Sequence, residues 1–486
     1  METSCVTPFS SDGGDSRQPA KTAWAQNPQK AASGAHAGRP KCTIVHLDLG
    51  IGGAEQLVVL AALAMQGERK SEAKLEEQSS EGGNREGSGD DGFDVEILTT
   101  NHDRSRCFPA TVDGRLKVSV YGRFLPRSIF GKAVALCSLL RMFWLVLVIF
   151  VTGRWRRKVI FNDQVAAVNP LLSLFCEKLV FYAHFPDLHL VQRDAESTRL
   201  LACLKKWYRA VLDAAEAATT GKCGLLLFNS RFTEQTYRRT FPLMRFPRHK
   251  VLYPPVDTDA ADAFRRRFCR AACVASLKAL PEFKDFDFSV PFVFSLNRYE
   301  KKKDLQLAIH AVARGFNSRL PENALVFEEL LRTALMQSGF DVLWPAAPSA
   351  QSPASKLAKA KRTQVVFVKN IDEAARQCLM AVALCLVYTP FEEHFGMVPL
   401  EANALGCPVV ASNSGGPRES VLHGKTGFLC EHDARSFGDA ILRLAVMQRE
   451  DPPMYEEMRQ NGCRHVKENF SYGAFGIQLR RLVAEA

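Results

Sequence analysis

Two glutamates eight positions apart, Glu393 and Glu401, bracket His394-Phe395-Gly396-Met397 in the stretch VYTPFEEHFGMVPLEANALGCPVVASNSGGPRESV, residues 387–421. One sits in a polar turn and the other just over a turn inside a helix expected from about Met397, so they cannot form a simple helical ion-pair face. An apolar run, Ala381 to Val387, reads as a buried parallel strand leading into the turn. Gly406 ends the helix, Pro408 to Ser412 reads as the next strand, and Asn413-Ser414-Gly415-Gly416-Pro417 as the loop after it. Two loops then meet at one sheet edge. There the N–H groups of helix starts, with glycines permitting close approach, suit a diphosphate. Glutamates at this spacing also arise by chance on ordinary helices.

Other candidates lie where strands end. CTIVHLDLG after Lys41 alternates as a strand, and Gly50-Ile51-Gly52-Gly53 forms a turn before a helix Gln56 to Gln66. That turn is either a phosphate or sugar pocket or a structural tight turn, since it lacks the G-x-G-x-x-G spacing. Lys158 to Asn162 reads as a strand ending at Asp163 and Gln164, and LVFYAHFPD as one ending at His184. The carboxyl end of a strand is where α/β sites are built, so His184 reads as a contact to acceptor or donor sugar rather than a structural histidine. Arg298, Lys301, Lys302 and Lys303 follow a strand expected over Pro291 to Leu296, and alone they could be a solvated turn. The tripeptides Asp257-Thr258-Asp259 and Asp285-Phe286-Asp287 match a metal-binding D-x-D by chance.

A chain of 486 residues with 47% hydrophobic and 24% charged residues is globular and long enough for two domains. The net charge of +11 favours an anionic partner. Without a nucleic-acid motif, that partner is phosphate or a membrane surface and no nucleic acid. The 14 cysteines are scattered, and Cys269 and Cys273 lack metal-ligand spacing. They read as reduced thiols of a cytosol-facing protein with no metal site. On that side of a membrane the sequon Asn469-Phe470-Ser471 stays unmodified.

The expected layout is a disordered tail over 1–39 and an N-terminal Rossmann-like acceptor and membrane-facing domain over 40–255, with an acidic insertion at 67–92. A linker or insertion follows over 256–290, then a C-terminal Rossmann-like nucleotide-sugar domain over 291–469 and a helix over 470–486 that crosses back. Ala133 to Val151 carries one charge, Arg141. Its length permits a membrane span. Strands of one sheet before and after it argue instead for a helix that packs in the core or dips into one leaflet. In the second case Arg123, Arg127, Lys132, Arg154, Arg156, Arg157 and Lys158 would meet anionic head groups.

The ordered set Glu393-x7-Glu401, EHFG, PLEA, GCPVVAS and SGGP resembles the signature of retaining GT-B glycosyltransferases of family 4. HLDLGIGGAEQLVV, PRSIFGKAVALCSLLRM, FYAHFPD, FNSRFT, VLYPPVD and SLNRYEKKKDL further resemble the eukaryotic α-1,3/1,6-mannosyltransferases of dolichol-linked oligosaccharide assembly, over most of 41–440. The resemblance implies an α/β GT-B fold, two Rossmann-like domains around an interdomain cleft. It implies transfer of mannose from GDP-mannose to mannosyl-chitobiosyl-diphosphodolichol, α-1,3 then α-1,6, at the cytosolic face of the endoplasmic reticulum membrane. Other mannosyltransferases of the pathway would be partners, and no cofactor or bound metal would be required.

Carried over residue by residue, Glu393 orients the donor mannose and Glu401 holds the ribose. Arg298 and Lys303 grip the diphosphate, which is electrostatic catalysis. Lys303, taken as an exposed loop cation, is expected to matter for turnover and little for stability. His184 joins the catalytic group, while Gly52, Gly53, His394, Phe395, Gly396, Met397, Gly415 and Gly416 bind the donor. Two departures stand out: Ala324 to Arg362 replaces the family's strand and GGYD-like turn, and Asp304 stands for the usual asparagine. Alternatives are another family-4 transferase, as in glycolipid anchor assembly, and a non-catalytic membrane scaffold of the same fold.

Overall fold

The structure is a computed structural model that describes residues 39–67, 92–129, 133–186, 199–297, 301–316, 340–343, 363–366, 368 and 371–485. The tail over 1–38, most of the acidic insertion, Arg298, Lys132 and much of the 324–362 departure lie outside the described residues.

The first half comprises β1 (Lys41–Leu49), α1 (Gly53–Gln66), β2 (Asp94–His102), β3 (Lys117–Val120), α2 (Val134–Val151), β4 (Val159–Asp163), α3 (Asn169–Ser173), β5 (Lys178–Ala183), α4 (Arg199–Thr220), β6 (Leu225–Phe228), α5 (Arg231–Thr240) and β7 (Arg248–Val251). Its seven strands form one parallel sheet in the order β3-β2-β1-β4-β5-β6-β7. Successive β1 side chains enter opposite layers, as the two-residue period of a strand requires. Ile44 packs with α1, and its neighbour Val45 packs with α2.

Helix α2 lies against this sheet. Met142, Leu145 and Ile149 are fully buried on it, and each such burial contributes about 1.5–3 kcal/mol. Arg141, the one charge of the segment, also turns inward, 2% exposed, onto Asp48 at the end of β1. The outer face stays apolar and exposed: Val134, Leu140, Phe143, Leu147 and Phe150. Arg154 and Arg157 were expected at lipid head groups, but both are tied to the buried carboxylate of Glu96, at 3.0 and 2.7 Å. A buried carboxylate needs such partners, so these two cations are spent inside the fold.

The second half comprises α6 (Thr258–Arg267), α7 (Arg270–Lys278), β8 (Val293–Phe294), α8 (Leu305–Phe316), β9 (Phe340–Leu343), β10 (Thr363–Val366), α9 (Glu373–Val382), β11 (Cys385–Tyr388), α10 (Met397–Ala404), β12 (Val409–Ser412), α11 (Pro417–Ser420), β13 (Gly427–Cys430), α12 (Ala434–Glu450), α13 (Pro452–Phe470) and α14 (Tyr472–Glu485). A parallel sheet runs β13-β12-β11-β8, with a separate parallel pair β9-β10. The strand expected over Ala381 to Val387 starts later. Ala381 and Val382 close α9, and only residues from Cys385 extend, because an unbroken apolar run does not itself mark the change of period. The stretch 256–290 packs phenylalanines 283 and 288 against α9. Helix α14 returns to the first half, where Phe475, Leu479 and Val483 join the core beside α1.

Candidate active site

In the seven-stranded sheet the strand order reverses between β1 and β4, and their carboxyl ends are where such a sheet opens a crevice. Three groups meet there. Asp163 ends β4 fully buried, with Oδ2 2.8 Å from His46 Nδ1 of β1 and Oδ1 2.8 Å from His184 Nε2, just past β5. Burial alone would raise the Asp163 carboxyl, but the two imidazoles pull it down to about 2. Asp48, at the end of β1, accepts from both Arg141 and Arg127 and so fixes the start of the glycine turn. Gly52 caps α1, its carbonyl accepting from Gln56 N–H at 2.9 Å. Nothing lies within 4 Å of a Cβ built on Gly53, so packing does not demand a glycine there.

Lys303 and Glu393 form the centre of the facing half. Lys303 Nζ donates to Glu393 Oε2. Lys303 is 7% exposed, which corrects the expectation of an exposed loop cation. It is buried because its turn is strapped down: Thr389, after β11, donates to the Lys303 carbonyl at 2.7 Å. Next to it, Asp304 accepts from His432, whose other ring nitrogen meets Ser412. Burial would raise the Glu393 carboxyl, yet Lys303 holds it below its usual range. Glu401 sits inside α10 beside Arg376 of α9. Its carboxyl is raised by burial, with Arg376 opposing the rise.

The glycines of the SGG loop are there for contact. Gly416 N–H donates to the Glu393 carbonyl at 2.7 Å. A Cβ at Gly415 would strike the backbone of Glu392 and Glu393, and one at Gly416 that of Phe395. Gly415 also has φ 60°, in the left-handed region. Gly396 caps α10 at φ 83°, against the Tyr388 ring, with Met397 as the first helical residue. Phe395 is buried and stacks on Tyr253.

Contacts across the cleft join the two sets. The His394 ring stacks on Phe185, the neighbour of His184, with centroids 3.6 Å apart. Ser230, the N-cap of α5, donates to the His394 carbonyl at 2.6 Å. Burial lowers the His394 imidazole to about 4, so it is neutral at physiological pH. The structure thus brings Glu393, Lys303, His394, Phe395, Gly415 and Gly416 together, with His184 opposite. It places Gly52 and Gly53 on the far loop, and Arg298 lies outside the described residues.

Sequence reasoning missed Arg376, and it missed Glu419. The Glu419 carboxylate accepts from the N–H groups of Arg231 and Phe232, at 2.9 and 2.8 Å, and from Tyr253 OH at 2.9 Å. Burial and Glu419 push the Tyr253 hydroxyl up to about 12, so it stays a donor. A residue of one half thereby caps a helix of the other. We expect Glu419→Ala to cost about 1–2 kcal/mol of stability in urea unfolding, the scale of a lost helix cap, and to lower turnover with it. Unchanged values of both would remove Glu419 from cleft closure. Among the described residues no cluster of three or more His, Cys, Asp or Glu could hold a metal ion.

Residues 280–465 match the family described as glycosyl transferases group 1. The α-1,3/1,6-mannosyltransferase ALG2 of Rhizomucor pusillus is 34% identical over 465 residues, 91% of this chain and 90% of that protein. The Homo sapiens protein of the same name is 33% identical over 471 residues, 92% of this chain and 96% of its own. Among solved structures, Anabaena HepE in complex with UDP and glucose is similar at a TM-score of 0.55 with 17% identity, covering 92% of this chain and 100% of that one. Sucrose-phosphate synthase from Thermosynechococcus elongatus is similar at 0.57 with 17% identity, covering 92% and 99%. These likenesses show the fold, an α/β GT-B architecture of two facing parallel sheets.

Proposed function

This chain belongs to the α-1,3/1,6-mannosyltransferase family, and from that premise we propose that it moves mannose from GDP-mannose to a mannosyl-chitobiosyl-diphosphodolichol acceptor at the cytosolic face of the endoplasmic reticulum membrane. It is a glycosyltransferase of α-1,3/1,6-mannosyl specificity. The observation that carries the donor reading is the buried Lys303–Glu393 pair under the SGG loop. An ammonium has three N–H donors. One meets Glu393, which leaves two for diphosphate oxygens. Glu393 keeps its second oxygen for a mannose hydroxyl, and Glu401 takes the ribose.

As the glycosidic bond breaks, charge grows on the leaving diphosphate, where the fixed Lys303 cation and the N–H groups at the start of α10 stabilise it. The acceptor hydroxyl attacks from the same face and passes its proton to a diphosphate oxygen, so the anomeric configuration is retained. The cation needed at the leaving group is protein-borne, and transfer is expected to persist with EDTA present. Titration calorimetry with GDP and UDP tests the donor: binding of GDP well ahead of UDP supports this reading, and the reverse preference refutes it.

The acceptor's lipid calls for a membrane-facing surface, and the outer stripe of α2 supplies one. Phe124, 71% exposed, packs edge-on against Trp144 of α2, and Leu174, 78% exposed, precedes Phe175, whose ring packs on Phe150. Arg123, Arg127 and Arg156, in the segments that flank α2 in the chain, are exposed and suit anionic head groups. Replacing Leu140, Phe143 and Leu147 together by glutamate is expected to reduce co-sedimentation with anionic vesicles at least ten-fold without unfolding the protein, since none of the three is buried. Cysteine labels placed before Ala133 and after Val151 should react from the same side of the vesicle. Labelling from opposite sides would contradict the reading.

A further inference from the structure

The buried group at the β1/β4 crevice has a use beyond packing. Asp163 is wholly enclosed, yet both carboxylate oxygens are occupied by imidazoles, His46 on one side and His184 on the other. A carboxylate only accepts hydrogen bonds. Both ring nitrogens that face it therefore carry their protons: Nδ1 of His46 and Nε2 of His184. His46 cannot release its oxygen, because it is itself 0% exposed and its Nε2 has no hydrogen-bond partner among the described residues.

His184 is different. Its imidazole is 26% exposed, at the end of β5 and on the cleft side of the carboxylate. Tyr182 packs at 5.1 Å from its ring, and Thr233 donates to its backbone carbonyl at 3.4 Å. The next residue, Phe185, stacks on His394, which follows Glu393. With Nε2–H turned inward, the nitrogen left for the cleft in the neutral ring is Nδ1, a lone pair.

We propose that Asp163 is a positioning residue, which locks His184 in the Nε2–H tautomer so that Nδ1 accepts a hydrogen bond from a sugar hydroxyl in the cleft, with His46 as the fixed anchor on the second oxygen. The assignment rests on the cleft being a sugar-transfer site. Asp163 touches no substrate and acts through His184. A carboxamide of the same shape has one acceptor atom, so it cannot accept from both histidines. One ring must then turn or change tautomer, and His184 is the one with room to do so.

The test is Asp163→Asn in the full-length protein. Turnover should fall about 100-fold, the scale of a misplaced reacting group, with GDP affinity unchanged. The double variant Asp163→Asn/His184→Ala should be no slower than His184→Ala alone. Imidazole 15N spectra of histidine-labelled protein should show His184 as the Nε2–H tautomer in the wild type and a mixture in Asp163→Asn. Wild-type turnover in the variant, an additive double variant, or an Nδ1–H tautomer of His184 in the wild type would each overturn the proposal. The tautomer measurement decides even where Asp163→Asn does not fold. If the wild type transfers no sugar at all, the sugar-transfer reading fails instead, whatever the tautomer.

Discussion

Lys303→Ala is expected to lower turnover by roughly 10²–10³-fold, about 3–4 kcal/mol of transition-state stabilisation, because it removes a preorganised cation from a buried site. The effect falls on turnover more than on donor binding, since the diphosphate carries most of its extra charge as the bond breaks. Stability falls as well, which an exposed cation would not have implied. Without the ammonium, the Glu393 carboxylate is left in a half-buried site with its partner gone, at about 1–3 kcal/mol. The double variant Lys303→Ala/Glu393→Gln removes that orphaned charge. It should recover much of the stability and none of the turnover. Steady-state rates beside urea unfolding separate the two, and near-normal turnover in Lys303→Ala would remove the lysine from the leaving-group role.

Glu401→Gln is expected to weaken GDP binding by roughly ten-fold or more, about 1.5–3 kcal/mol, since the amide keeps one acceptor but loses charge-assisted strength. Glu393→Gln is expected to leave GDP binding nearly unchanged and to lower turnover instead. Acidity sharpens the contrast. The Glu401 carboxyl lies above its usual range through burial, and its charged form is the stronger ribose acceptor, so GDP affinity falls as pH drops through that raised value. Arg376 opposes the rise, and Arg376→Met therefore moves the loss of affinity to higher pH. The Glu393 carboxyl is held below its usual range, so its protonation adds no comparable loss over the pH range in which Glu401 titrates. Calorimetry across pH checks both statements. Equal GDP affinities in Glu401→Gln and Glu393→Gln, with equal losses of turnover, would refute the division of labour.

What was legible in the chain was local. The strand and turn at Lys41 to Gly53 and the loop-helix-loop around Glu393 each lie within a short window where period and glycine signals agree. Contacts between distant positions left no such mark. His46 and Asp163 are 117 residues apart, and Glu419 meets Arg231 across 188. Nothing around Arg376 announces that a carboxylate 25 positions later will need it. Burial was misjudged for a related reason. KKKD reads as solvent-facing, and only Thr389 folding over the Lys303 carbonyl and Glu393 closing beside its ammonium take that lysine out of water. The fate of Arg154 and Arg157 turned on Glu96, a strand residue that alternation alone does not identify as fully buried.

The central claim is retaining mannosyl transfer by this cleft. Its most direct measurement is the product made by the purified full-length chain from GDP-mannose and a phytanyl-linked mannosyl-chitobiosyl diphosphate, read by linkage-specific α-mannosidase digestion and anomeric proton spectra. The account predicts two added mannoses, both α, one at O3 and one at O6, with neither made by Lys303→Ala at a comparable rate. A β-linked product, or transfer of glucose from UDP-glucose in preference to mannose, would contradict it.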